Sequence, residues 1–168
     1  MPTLTRPFLW KFDRSRYSND YLVRQVSEEV VQTGIIDHLA FYRVDAVAID
    51  AGMKRARGRM IAAAYTRGVD VREIVKFKNG GIPAGWSDLT ATLAPHGVSL
   101  YIEVKAPAWI NPENYSQIIR EAGRPTEDQL DFLDSKQSRG AIVMVAWSVA
   151  DVLQLIGDRL EKNRSALS

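Results

Sequence analysis

Asp88, Glu103 and Lys105 are the residues whose types and spacing best suit bond-breaking chemistry in this chain. They flank two β-rich runs joined by Ala94-Pro95-His96-Gly97, a turn signal. Folding this hairpin symmetrically about the Pro95–His96 bond pairs Leu89 with Ile102, Ala91 with Leu100 and Leu93 with Val98. The same fold pairs Asp88 with Glu103, Thr90 with Tyr101 and Thr92 with Ser99. The first set is wholly apolar and the second carries polar groups throughout. Strand side chains alternate between faces, so the first set is predicted to pack on a core. Asp88, Thr90, Thr92, Ser99, Tyr101, Glu103 and Lys105 then share the opposite face, and a slip of one residue would scramble the sorting. In this register Asp88 and Glu103 stand directly opposite, with Cβ atoms roughly 5 Å apart. Two like charges so placed destabilise a sheet unless something positive lies between them. A divalent cation would do so, with Lys105 as a second positive group and the Val104 carbonyl as a further oxygen ligand. Carboxylate-held Mg²⁺ or Mn²⁺ can hold a phosphodiester oxygen and lower the pKa of a bound water, while a nearby lysine orients that water or stabilises charge. The same residues also suit a solvent-facing strand surface on which Glu103 and Lys105 form an ordinary ion pair.

Composition narrows the alternatives. The chain has 168 residues, 46% of them hydrophobic and 25% charged, which suits a single globular domain with a real core. It has no cysteine, which excludes disulfide scaffolds, thiolate zinc sites and cysteine nucleophiles. His38 and His96 are its only histidines, so a metal would be held mainly by carboxylates and carbonyls. His38 is expected at a helix end and His96 in a turn, both in structural roles. No Gly-x-Ser-x-Gly elbow or P-loop is present. The longest apolar run, Ala141–Trp147, is far short of the roughly 20 residues of a membrane helix. With no signal-peptide pattern, a soluble, cytoplasmic protein is expected.

The net charge of +2 conceals an uneven distribution. Between Lys54 and Lys78 eight basic residues face only Asp70 and Glu73, a local +6 that leaves about −4 elsewhere. Arg55, Arg57, Arg59, Lys76 and Lys78 in this segment are candidate phosphate contacts, against the alternative of a solvated face. Asp45 and Asp50 could line the site from a neighbouring strand, although exposed polar positions also explain them.

The elements that position these residues follow from periodicity. Residues 1–20 read as an arm, after which Asn19-Asp20 caps a helix through Leu22, Val23, Val26, Val30, Ile35, Ile36 and Leu39, with Gly34 a soft point. Phe41–Ile49 reads as a strand and Val69–Phe77 as another. Residues 106–125 hold three prolines and no strong periodicity, so an inserted loop with one short helical turn is expected. Thr126 and Gln129 form a capping box that opens a helix through Leu130, Phe132 and Leu133. Ala141–Trp147 is a buried strand, and Ser148 caps a last helix through Val152 and Leu160. The result is one mixed α/β domain.

Together these residues resemble the PD-(D/E)xK nuclease superfamily, in particular its VRR-type (virus-type replication-repair) nuclease domain. The likeness runs through Gly85-Trp86-Ser87-Asp88-Leu89, Tyr101-Ile102-Glu103-Val104-Lys105, Pro125-Thr126-Glu127-Asp128-Gln129 and Gly140-Ala141-Ile142-Val143 to Asp151-Val152. It covers under half the chain. Ser87 stands where the superfamily name has proline. The resemblance implies an α/β fold with a restriction-endonuclease-like core, a mixed central sheet flanked by helices. It implies metal ligation by Asp88 and Glu103, supported by Glu28 four residues before Gln32, with Glu29 the close alternative. Lys105 would be the catalytic lysine and Gln129 would lie at the mouth of the site. The implied activity is Mg²⁺- or Mn²⁺-dependent hydrolysis of DNA, structured or branched DNA included, in a repair context. Cutting both strands would call for a homodimer. Trp109, Tyr115, Arg120 and Arg124 of the inserted loop could clamp nucleic acid or make a dimer contact. Two other readings remain: a nucleic-acid-binding or assembly module without activity, and a metal-dependent phosphohydrolase acting on nucleotides.

Overall fold

The expected hairpin forms the middle of the sheet. A computed structural model describes residues 10–49 and 85–166. β1 (Val47–Ala48), β2 (Leu89–Leu93), β3 (Val98–Val104) and β6 (Ile142–Ala146) form a four-stranded sheet in the order β1-β2-β3-β6. The β1–β2 and β2–β3 pairings are antiparallel and β3–β6 is parallel, so the sheet is mixed. The β2–β3 register is the one that alternation demands, Leu89 opposite Ile102 through Leu93 opposite Val98.

Each face of the sheet has its own core. On one side α2 (Glu28–Phe41) and α4 (Val149–Ala166) bring Val31, Ile35, Leu39, Val152, Ile156 and Leu160 against Leu89, Leu100, Ile102 and Met144. On the other, α3 (Glu127–Gln137) and the segment from Trp10 to Leu22 pack on Val143, Val145 and Trp147. The chain is therefore a mixed α/β fold with helices on both faces.

Four sequence expectations change. The helix expected from Asn19 to Leu39 is two helices, α1 (Asn19–Leu22) capped by Ser18 and α2 capped by Ser27, whose hydroxyl accepts from the Val30 amide at 3.3 Å. Between them the Val23 carbonyl accepts the Trp109 indole N–H at 3.2 Å, and the Val26 carbonyl accepts the Arg120 guanidinium at 2.8 Å. Tertiary donors thus take carbonyls that a continuous helix would use internally. Gly34 is no break; it lies inside α2, where an added Cβ would come within 3.0 Å of Val149 on α4. The strand expected over Phe41–Ile49 shrinks to Val47–Ala48, because α2 runs through Phe41 and the backbone turns at Arg43, which has φ +58°.

The stretch 106–125 holds no helix. Its β4 (Trp109–Ile110) and β5 (Ile118–Arg120) pair antiparallel, closed by turns in which the Asn111 and Asn114 side chains accept backbone N–H groups. The expected arm, over its described part, is a docked segment. Its 3₁₀ turn (Arg14–Arg16) and Tyr17 lie against the start of α4. The strand expected over Val69–Phe77 and the whole basic segment lie outside the described residues. No described helix is long and apolar enough to cross a membrane.

Candidate active site

Alternation along β3 turns Ile102 and Val104 into one core and leaves Glu103 on the opposite face, with Lys105 just beyond the strand's end. Glu103 is fully buried, and Asp88 and Lys105 are 5% and 8% exposed. The exposed ion pair that composition alone would allow is therefore a buried one. Taking such charges out of water costs several kcal/mol per ion. Ile102 and Val104, both fully buried, contribute roughly 1.5–3 kcal/mol each and hold the strand against that cost.

Asp88 is positioned from both sides. Its carbonyl accepts the Ile49 amide at 2.9 Å, and its Oδ2 accepts the Val104 amide at 2.8 Å. Val104 thus meets the acidic pair through its N–H. The chain enters at Gly85, φ +79°, where a Cβ would lie 2.2 Å from the Asp128 carbonyl oxygen in the first turn of α3. Only glycine allows this approach, which packs the segment before Asp88 against the start of α3.

Glu103 Oε1 accepts the Lys105 ammonium, while Glu103 Oε2 is buried beside the Asp88 carboxyl with no donor to it among the described residues. Burial, followed by the neighbouring Asp88 charge, pushes the Glu103 carboxyl up to about 8. Burial alone would lower Lys105, but the charge and hydrogen bond of Glu103, then the charges of Glu28 and Asp88, hold its ammonium above the ordinary lysine value. Glu28 sits half-buried in the first turn of α2, whereas Glu29 is exposed. Of the two candidates, Glu28 is the one whose charge bears on Lys105.

These residues suit a divalent cation in part. An orphaned, buried carboxylate oxygen beside a second carboxylate is a donor set that needs a proton or a cation. Among the described residues, however, no three His, Cys, Asp or Glu side chains gather tightly enough to hold a metal ion. The pair is Asp88 and Glu103, with Glu28 coupled to it through the ammonium.

The other candidates take the following places. Gln129 is half-buried, and its side chain is engaged in the capping box: Oε1 accepts the Thr126 amide at 2.9 Å. It stands on the turn of α3 that Gly85 touches. Gln32, one helical turn beyond Glu28, has a buried Nε2 without a partner among the described residues. Asp45 is exposed and lines an open groove beside Thr90 and Tyr101. His38 is exposed in the last turn of α2, its Nδ1 3.1 Å from the Gly34 carbonyl, and His96 is exposed in the hairpin turn. Trp109 and Arg120 are engaged with the backbone of residues 23 and 26, while Tyr115 and Arg124 are exposed. Arg55, Arg57, Arg59, Lys76, Lys78 and Asp50 lie outside the described residues.

Sequence reasoning missed an aromatic cluster beside the site. Trp86, Tyr101 and Phe132 touch one another with ring centroids 4.9–6.4 Å apart, and the Lys136 ammonium lies over all three. The only available signal was the i, i+4 spacing of Phe132 and Lys136 on α3. No family model matches this chain, and no curated protein or solved structure matches it.

Proposed function

We propose that the chain is a divalent-metal-dependent nuclease that hydrolyses DNA phosphodiester bonds on a restriction-endonuclease-like core. The observation that carries this reading is the buried Asp88–Glu103 pair with Lys105 bonded to it and one carboxylate oxygen left open. A fold keeps so costly an arrangement where it serves chemistry. Asp88 and Glu103, with the Val104 carbonyl and Glu28 in support, would hold Mg²⁺ or Mn²⁺, which when bound supplies Lewis acidity and a water of lowered pKa. The Lys105 Nζ, kept protonated by three carboxylates, donates hydrogen bonds and positive charge where negative charge develops on the phosphoryl oxygens. The basic segment around Arg55, Arg57, Arg59, Lys76 and Lys78 supplies phosphate contacts, and a homodimer would present two sites to a duplex.

The test is cleavage of labelled single-stranded, duplex, flapped and four-way-junction DNA with Mg²⁺, Mn²⁺ or EDTA, with Lys105→Ala beside the wild type. Metal-dependent cutting that vanishes in the variant is expected. Light scattering on and off DNA checks the dimer, which monomer alone in both conditions would refute.

A second reading is favoured by the absence of a three-carboxylate cluster among the described residues. With a proton shared by Asp88 and Glu103, the same fold would be a nucleic-acid-binding module without hydrolysis. DNA binding indifferent to Mg²⁺ and to Lys105→Ala, with no cutting in any metal, would decide for it.

A further inference from the structure

The alternation that places Asp88 and Glu103 on one face of the hairpin also places Thr90, Tyr101, Thr92 and Ser99 there, in sequence from the acidic pair toward the turn. An open groove of about 420 Å³ lies along this row, lined by Thr90, Thr92, Ser99, Trp86 and Tyr101, with Arg43 and Asp45 as its charged groups of opposite sign. Tyr101 and Glu103 are two residues apart on β3, about 6.7 Å, which is within the span of one nucleotide.

Trp86 and Tyr101 belong both to the groove and to the aromatic cluster. Phe132 packs on Trp86 at 4.9 Å and on Tyr101 at 5.5 Å, and the Lys136 ammonium lies 5.0 Å from the Trp86 and Phe132 centroids and 5.2 Å from that of Tyr101. The cluster's cation position is thus taken by Lys136, which disfavours an ammonium ligand. Trp86 and Tyr101 also line the groove, so a flat, uncharged ring entering it would meet aromatic partners. Trp86 Nε1 is buried, and among the described residues no acceptor meets it.

We infer that this groove is a base-stacking subsite for single-stranded DNA beside the acidic pair, with Trp86 as the principal platform and Lys136 fixing its orientation. The substrate half of this inference rests on the nuclease reading. Stacking on aromatic side chains tolerates any base, so the site would favour unpaired strands without reading sequence. Frayed or flapped DNA is then a better substrate than intact duplex.

The test compares binding of an oligothymidine with that of a fully abasic strand of equal length, by fluorescence anisotropy in EDTA so that nothing is cut. Wild type should prefer the base-bearing strand by at least about tenfold. Trp86→Phe should keep that preference. Trp86→Ala should lose it while binding the abasic strand as wild type does. Thr92→Leu, at an exposed position lining the groove, should lose it by filling the space without adding a ring, and stands in if Trp86→Ala does not fold. Equal binding of both strands by wild type, no binding of either, or a preference surviving in both Trp86→Ala and Thr92→Leu would overturn the inference. Metal-dependent cutting is scored separately. Its absence alongside a Trp86-dependent base preference would remove the nuclease and leave the subsite standing.

Discussion

Two buried carboxylates are treated in opposite ways. Asp151, at the start of α4, is 7% exposed and fully partnered. Its Oδ1 accepts from the Arg16 guanidinium at 2.6 Å, and its Oδ2 from the Tyr17 hydroxyl and the Trp147 amide, each at 2.8 Å. Burial, then the Asp151 charge, hold the Tyr17 phenol well above its ordinary value, so it remains a donor. Glu103 is buried more deeply, yet among the described residues its one cationic partner is Lys105, its other neighbour is the Asp88 carboxyl, and no donor meets its Oε2. The first arrangement fastens the N-terminal segment to the last helix. The second leaves unmet a demand that a ligand can satisfy. Completeness of partnering, more than burial or charge, sets the two carboxylates apart.

That contrast can be broken most sharply by removing each group in turn. Asp88→Asn, Glu103→Gln and Lys105→Ala should each lower metal-dependent DNA cleavage by about 10³-fold or more, measured in single turnover. Glu103→Gln should leave the melting temperature unchanged or raise it, since it relieves a buried like-charge contact. Asp151→Ala should do the reverse. It should cost about 3–5 kcal/mol in urea denaturation, because Arg16 and the Trp147 amide lose their acceptor. Cleavage per folded molecule should hardly change. If Asp151→Ala abolished cutting in well-folded protein, the division between the two carboxylates would be wrong.

A subtler test uses protons. Glu103 is held near 8 in the fold against an ordinary value of 4.5. The folded state therefore binds the proton more tightly, and the stability it contributes is complete below pH 4.5 and lost as pH rises through 8. Metal-free protein should accordingly melt at lower temperature at pH 8.5 than at pH 5.5. Glu103→Gln should flatten that dependence, and Mg²⁺ added at pH 8.5 should restore stability to the wild type alone. The smallest effect is expected at Gln129. Gln129→Ala should cost about 1 kcal/mol through loss of the capping box, with cleavage near the wild-type rate if its role is the cap. A large loss of cleavage there would make it part of the site.

How much of this was legible in the sequence depended on how local the cause was. The β2–β3 register could be read because polar and apolar residues sort onto opposite faces in one register only. The capping box and the buried β6 were similarly local. The break between α1 and α2 was not, because the groups that enforce it, Trp109 and Arg120, come from more than eighty residues away. The depth of the acidic pair was also hidden. Asp-Glu-Lys on a strand face reads the same whether that face meets water or is covered by distant parts of the chain. The bearing of Glu28 on Lys105 joined the start of one helix to the end of a distant strand, and the residues alone suggested it only through resemblance.

By composition the stretch 106–125 is an inserted loop with three prolines between two recognisable pieces. Its ties to Val23 and Val26 give it a different standing. Trimmed to a tight turn, it would release two carbonyls, and residues 23–27 could wind into the ladder that α1 begins. That would shorten the connection by about 1.8 Å per residue relative to extended chain and swing the first turn of α2 around the new axis. Glu28 would be carried away from Lys105 without one residue of the acidic site having been altered. An engineer shortening this protein would do better to cut elsewhere.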